Sequence, residues 1–157
     1  MATIHCMCGY IGFGKTTIAK QLETQYAAKR FTPDEVMLKL YGKDVGEDFM
    51  DKAEHVNAYI WAQIKECLQN NQDVIYDAGS WGIEDRKYVM QMTEKLEADV
   101  IWHQIECPLE TAKNRALKRA LNQEELAIDE TFFDENLSKY IPITKEEQLN
   151  VIYHQGE

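Results

Sequence analysis

Residues 9–16 read Gly-Tyr-Ile-Gly-Phe-Gly-Lys-Thr. The spacing G-x-x-x-x-G-K-[ST] suits a loop that wraps an anion. Glycines accept φ > 0, so successive backbone N–H groups can turn inward around a phosphate. A lysine at position 15 reaches the β- and γ-phosphates, and the Thr16 hydroxyl is placed to ligate Mg²⁺. The helix that starts here adds the partial positive charge of its amino end. Gly9, Gly12, Phe13, Gly14, Lys15, Thr16 and Thr17 are therefore the expected nucleotide-contacting set, with Lys15 also serving the chemistry.

The flanking sequence has the context this loop requires. Ala2 to Cys8 is a short, mostly apolar run that suits a buried strand. Beyond the loop, Ile18, Leu22 and Tyr26 recur at helical spacing, with Ala19 beside them.

The alternation continues along the chain. Lys29-Arg30-Phe31 reads as a second strand. Thr32, Pro33 and Glu35 read as N-cap, first helical residue and capping-box partner of a short helix to about Tyr41. Gly42 to Gly46 is a turn. A long helix follows over about 47–70, with Phe49, Ala53, Val56, Ile60, Ile64 and Cys67 as its apolar stripe. Asp73 to Asp77 is a third strand that ends in a carboxylate. The loop Ala78 to Gly82 leads into a helix from about Ile83 to Leu96. Val100 to Ile105 is a fourth strand, and Pro108 opens a helix to about Leu121. A polar stretch, Asn122 to Glu125, interrupts the pattern. A further helix begins near Asp129, and Val151-Ile152-Tyr153 is a fifth strand. Such alternation predicts an α/β fold: a five-stranded parallel sheet with helices on both faces.

The 157 residues make one domain's worth of chain, expected as a single unit over 1–157. Net charge is -10, from 17 Lys+Arg against 27 Asp+Glu. That balance opposes tight binding to long nucleic acids. No apolar run is long enough to span a membrane. No basic-then-apolar leader precedes the loop, so a cytoplasmic protein is expected. The four cysteines, Cys6, Cys8, Cys67 and Cys107, show no zinc-ligand spacing and read as reduced core residues. Nothing here fixes an oligomeric state.

Ligands of such sheets bind at the carboxyl ends of the strands. The loop, Asp34 and Asp77 all fall there. Asp77 is placed to hold Mg²⁺ directly or through water. Asp34, on the first turn of its helix, is placed to accept the proton of an acceptor hydroxyl; as a plain helix-start acid it would only favour the macrodipole. Arg115 and Arg119 share one helical face, with Lys113 and Lys118 nearby. They suit a lid that closes over a transferring phosphoryl group, expected at about 115–130; the alternative is a solvated basic face. Ser80 and Trp81 lie where an acceptor would sit; Trp81 reads equally as a wall of a small-molecule pocket or as a core residue. Arg86 reads equally as a substrate contact or a surface residue. His5 and His103 fall inside strand patterns and read as core or surface.

The segments G-Y-I-G-F-G-K-T-T, R-F-T-P-D-E, V-I-Y-D-A-G-S-W and N-R-A-L-K-R together resemble a compact group of P-loop kinases often labelled AAA-type ATPases. That group is similar to chloramphenicol phosphotransferase, zeta toxin and the kinase domain of polynucleotide kinase. The resemblance runs from about residue 3 to residue 153. It implies ATP and Mg²⁺ as cofactors, Asp34 as the base, Asp77 as the acid ending the third strand, and Arg115 and Arg119 as lid arginines. The Ala-Gly-Ser-Trp loop after Asp77 departs from the loop of polynucleotide kinases. With the acidic charge, it favours a small-molecule acceptor. A polynucleotide or nucleotide kinase is one competing reading. A nucleotide-binding regulatory module with only slow ATP hydrolysis is the other.

Overall fold

A computed structural model describes residues 2–42, 46–121 and 129–156. Five parallel strands form one sheet in the order β2-β3-β1-β4-β5. They are β1 (Thr3–Cys8), β2 (Lys29–Phe31), β3 (Val74–Tyr76), β4 (Asp99–Glu106) and β5 (Val151–Gln155). The helices are α1 (Lys15–Tyr26), α2 (Pro33–Tyr41), α3 (Phe49–Gln69), α4 (Ile83–Lys95), α5 (Leu109–Leu121) and α6 (Glu130–Asn136). Every strand and helix expected from the sequence is present. The polar stretch at Asn122 to Glu125, and with it much of the expected lid, lies outside the described residues, as do residues 43–45 of the expected turn.

Strand alternation sorts the core into two layers. Ile4, Cys6 and Cys8 of β1 point one way, into a cluster with Met37 of α2, Val56, Ile60 and Ile64 of α3, and Val89 of α4. Met7 points the other way, with Ala19 and Leu22 of α1, Ala112 and Ala116 of α5 and Phe133 of α6. Full burial of an isoleucine such as Ile60 or Ile64 contributes roughly 1.5–3 kcal/mol. Central β1 pairs with β3 (Ile4 opposite Val74) and with β4 (Ile4 opposite Val100). Cys6, Cys8 and Cys67 are unpaired thiols in the core, and Cys107 is half-buried.

Two local expectations are corrected. The capping box at α2 does not form: Thr32 makes no side-chain cap hydrogen bond, and Glu35 turns instead to Arg30, with Nη2 donating to Oε1 at 2.6 Å. A charge-assisted pair with a guanidinium outcompetes a neutral backbone amide for a carboxylate. Phe49 also leaves the apolar stripe of α3. It is 48% exposed, while Trp61 takes a core place in the same helix at 4%.

Candidate nucleotide and phosphoryl-transfer site

The loop between β1 and α1 has the backbone its glycines were expected to supply. Gly12 has φ 76° and Gly14, the N-cap of α1, has φ 95°. Gly12 is also a packing requirement. A Cβ there would stand 2.1 Å from the carbonyl oxygen of Ala112, so α5 rests directly on the loop. Phe13 N–H donates to the Tyr10 carbonyl at 3.1 Å and closes the turn. Lys15 arches back over the loop, its Nζ donating to the Tyr10 carbonyl at 3.3 Å. Thr16 is half-buried and Thr17 exposed on the first turn of α1.

Tyr10 is the hub of an aromatic cluster that supports the loop. Its ring lies 4.9 Å from Trp81, 5.0 Å from Phe133 and 5.7 Å from Tyr140, centroid to centroid. Its hydroxyl donates to the Phe133 carbonyl. Trp81 therefore packs against the loop, with its indole N–H buried. Gly79 makes room for it, since a Cβ at Gly79 would meet Trp81 Nε1 at 2.4 Å.

Asp34 sits at the start of α2, beside the carboxyl end of β2. Its edge is exposed by area, yet protein surrounds it on enough sides that desolvation raises its pKa above the ordinary carboxylate range. Lys15 opposes that rise, while Asp77 and Glu35 add to it. Lys15, Asp34 and Asp77, far apart in sequence, thus form one electrostatic neighbourhood.

Asp77 is 3% exposed, and its backbone N–H donates to the Phe31 carbonyl at 2.8 Å. Its Oδ2 accepts from Arg30 Nε at 3.0 Å. The Arg30 guanidinium therefore ties Asp77 to Glu35. Arg30 was not singled out from the sequence. The available signal was a cation at the middle of a three-residue strand, beside two acids on neighbouring elements.

Arg115 reaches the loop from α5, with Nη1 donating to the Gly12 carbonyl at 3.3 Å. Arg119 lies one turn further along α5 and is half-buried. Lys113 is turned away from the loop, toward Glu130 at 2.8 Å and Asp134 at 3.1 Å.

Arg86 is not the surface residue that stood as the alternative to a substrate contact. It is 1% exposed. Nε and Nη2 donate to the two carboxylate oxygens of Glu147 at 2.7 and 3.0 Å, and Nη1 donates to the Ser80 carbonyl at 2.8 Å. Ser80 is 9% exposed with φ 48°, and its carbonyl also accepts from the Cys8 thiol at 3.4 Å. These contacts shape the loop from Ala78 to Gly82 from beneath. Glu147, more than sixty residues away in sequence, carries no local motif that would have marked it.

Among described residues, no group of three or more His, Cys, Asp or Glu side chains could hold a metal by itself. The loop does fit a polyphosphate. Gly12 and Gly14 have positive φ, and Lys15 and Arg115 both reach carbonyls of the loop, so backbone and side-chain donors are available at this one turn.

A family model for the AAA domain matches residues 4–142. The chain belongs to this family. Solved structures with the same fold include a candidate kinase from Chloroflexus aurantiacus J-10-fl, at TM-score 0.78 and 15% identity, covering 98% of this chain and 88% of that one. Kti12 from Chaetomium thermophilum, solved with ADP-AlF3, aligns at TM-score 0.72 and 15% identity, covering 97% and 87%. A chain of the Pnkp1/Rnl/Hen1 RNA repair complex aligns at TM-score 0.75 and 20% identity, covering 90% of this chain and 48% of that one. No curated protein matches the sequence. The fold is that of a compact P-loop kinase of the AAA type, and nucleotide binding follows from the family. No helix among the described residues is long and apolar enough to cross a membrane.

Proposed function

We propose that the protein is a kinase that transfers the γ-phosphoryl group of Mg-ATP to a hydroxyl of a small molecule. The observation that carries this reading is the convergence of Lys15, Asp34 and Asp77 at the carboxyl ends of three adjacent strands, with Arg115 on the loop. Bound Mg-ATP supplies the phosphoryl group and a cation that offsets its charge. The loop amides and Lys15 hold and orient the phosphates. Asp34 accepts the proton of the acceptor hydroxyl, a role worth roughly 10²–10⁴-fold. Arg115 and Arg119 stabilise charge on the transferring group. Catalysis is then mainly positioning and electrostatics.

The residues fit Mg²⁺ through Thr16. Asp77, with Oδ2 engaged by Arg30, fits a water-mediated contact better than direct ligation. The acidic surface and the Ala-Gly-Ser-Trp loop favour a small acceptor over a polynucleotide. The fold shared with a chain of an RNA repair complex keeps the polynucleotide reading as the second choice.

An acceptor screen with ATP labelled at the terminal phosphate tests the proposal. Label is expected to move to a small hydroxyl compound. Labelling confined to 5′-hydroxyl ends of oligonucleotides would replace the small-molecule reading. Slow hydrolysis that no acceptor accelerates would replace the kinase reading with a regulatory module.

A further inference from the structure

Three of the four histidines are joined in one line across the sheet. His5 on β1 is 0% exposed and His103 on β4 is 1% exposed, while His154 on β5 is half-buried. His5 Nδ1 and His103 Nε2 are 2.9 Å apart, and His103 Nδ1 and His154 Nε2 are 2.8 Å apart. Strand register explains the diagonal. His103 stands opposite Met7, two residues beyond His5, and His154 stands opposite Ile105, two residues beyond His103. All three rings share the face covered by α1 and α5. At the lower end, His5 Nε2 lies 3.8 Å from Asp73 Oδ2, ahead of β3, and Tyr26 of α1 stacks on the His5 ring at 4.5 Å. From α5, the same face receives Ala112 and Ala116, while Arg115 is turned to Gly12.

The upper end of the line meets the nucleotide loop. Two residues after His154, Gly156 N–H donates to the Glu106 carbonyl at 2.7 Å. A Cβ on Gly156 would stand 1.7 Å from the Phe13 carbonyl oxygen, and a Cβ on Gly14 would lie 3.5 Å from Gly156 Cα. The end of β5 is thus pressed against the loop. As an edge strand, β5 is held on one side only, by β4.

We propose that this histidine line is a pH-sensitive latch: neutral, it clamps the end of β5 against the phosphate loop, and protonation of His103 releases the clamp. Neutral, each pair shares one N–H and one bare nitrogen, which the three rings supply in either direction along the line. His103 then has no nitrogen left over. A proton added to His103 sets a cation at a buried site whose two ring nitrogens face only imidazoles and no carboxylate, and release of β5 opens that site to water. Burial already resists that proton, and with the neighbouring imidazoles His5 and His154 it pushes the His103 pKa down to about 3. With β5 released, His103 regains an ordinary value of about 6.5. Lower pH therefore favours the released form, by about tenfold per exposed histidine between pH 7.5 and 5.5.

The inference rests on residues 9–16 as the nucleotide site only for its consequence, so its primary test uses the nucleotide-free full chain. Amide-exchange protection factors, corrected for intrinsic pH dependence, are measured over 151–156 and over β3. Protection of β5 is expected to fall about tenfold relative to β3 between pH 7.5 and 5.5. His103→Gln is expected to abolish that fall, because it removes the buried group that takes the proton. Saturating Mg-ADP is expected to raise β5 protection. Parallel protection of β5 and β3 across the range would overturn the latch, as would an undiminished pH effect in His103→Gln. Absence of any Mg-ADP binding at pH 7.5 would count against the nucleotide reading, with the latch still decided by exchange in the free protein.

Discussion

Arg30 donates to Asp77 at 3.0 Å across the carboxyl ends of two neighbouring strands, which leaves the acid at the end of β3 neutralised from within the fold. The same guanidinium holds Glu35, beside Asp34. Asp77 and Glu35 are the two acids whose charge raises the Asp34 pKa. Arg30 thus restrains both neighbours of the proposed base.

Replacing Arg30 with methionine strands the buried Asp77 carboxylate. Loss of one partner of a buried ion pair costs about 3–5 kcal/mol. Urea unfolding is expected to show a loss in the lower part of that range, because Arg30 retains some contact with water. The double variant Arg30→Met, Asp77→Asn should recover part of the loss.

Asp34→Asn should leave nucleotide affinity nearly unchanged and cut phosphoryl transfer at least about a hundredfold. In the unmodified protein Asp34 acts deprotonated, so kcat/KM should fall as pH drops through a value above the usual aspartate range. The stability effect has the opposite sense. A carboxyl whose folded pKa is raised binds its proton more tightly in the native state, so its contribution to stability falls as pH rises between the unfolded and folded values. Asp34→Asn is therefore expected to be at least as stable as the parent at pH 7, read by thermal unfolding.

Gly12→Ala meets two obstacles, a positive φ and the Ala112 carbonyl at 2.1 Å. The left-handed conformation alone costs a non-glycine residue about 1–3 kcal/mol. Relief requires α5 to move off the loop and to carry Arg115 with it. Both melting temperature and nucleotide affinity should fall. A variant with full affinity would show that α5 and the loop are not coupled.

Glu147 gives an acid-range prediction. Burial pushes its pKa up, but hydrogen bonds from Arg86 and from Thr144 outweigh burial and leave it below the ordinary value. A depressed carboxyl contributes stability that is present above its unfolded pKa and lost as pH falls through the folded value. The unmodified protein should lose stability as pH drops below about 4.3, the ordinary glutamate value. Glu147→Gln should be weaker at neutral pH and show a shallower acid slope, measured by denaturant midpoints across the range.

Arg115→Ala removes the side chain that bridges α5 to Gly12. Arginines in this position contribute on the order of 10³–10⁵ in rate where they act on the transferring group. A loss of transfer of at least about a hundredfold is expected, with a smaller change in nucleotide affinity. An unchanged rate would make Arg115 a brace for the loop alone.

The parts of the site that rest on local patterns were legible in the sequence. The spacing of Gly9, Gly12, Gly14 and Lys15 dictates a backbone conformation that needs no distant partner, and strand–helix alternation places Asp34 and Asp77 at one edge. Long-range pairings were not legible. Nothing near Arg86 announces Glu147, and the apolar stripe of α3 does not reveal that Phe49, at the first position of the helix, is left exposed. Glu35 had the right spacing for a capping box, but spacing does not report a guanidinium arriving from β2. The histidine line is invisible to periodicity because it depends on the register between β1, β4 and β5.

The most direct measurement is a calorimetric titration of the full chain with Mg-ATP, paired with Lys15→Ala. The account predicts saturable one-to-one binding that the substitution abolishes or weakens sharply. No heat with the unmodified protein, or equal affinity in Lys15→Ala, would contradict the placement of the nucleotide in the 9–16 loop.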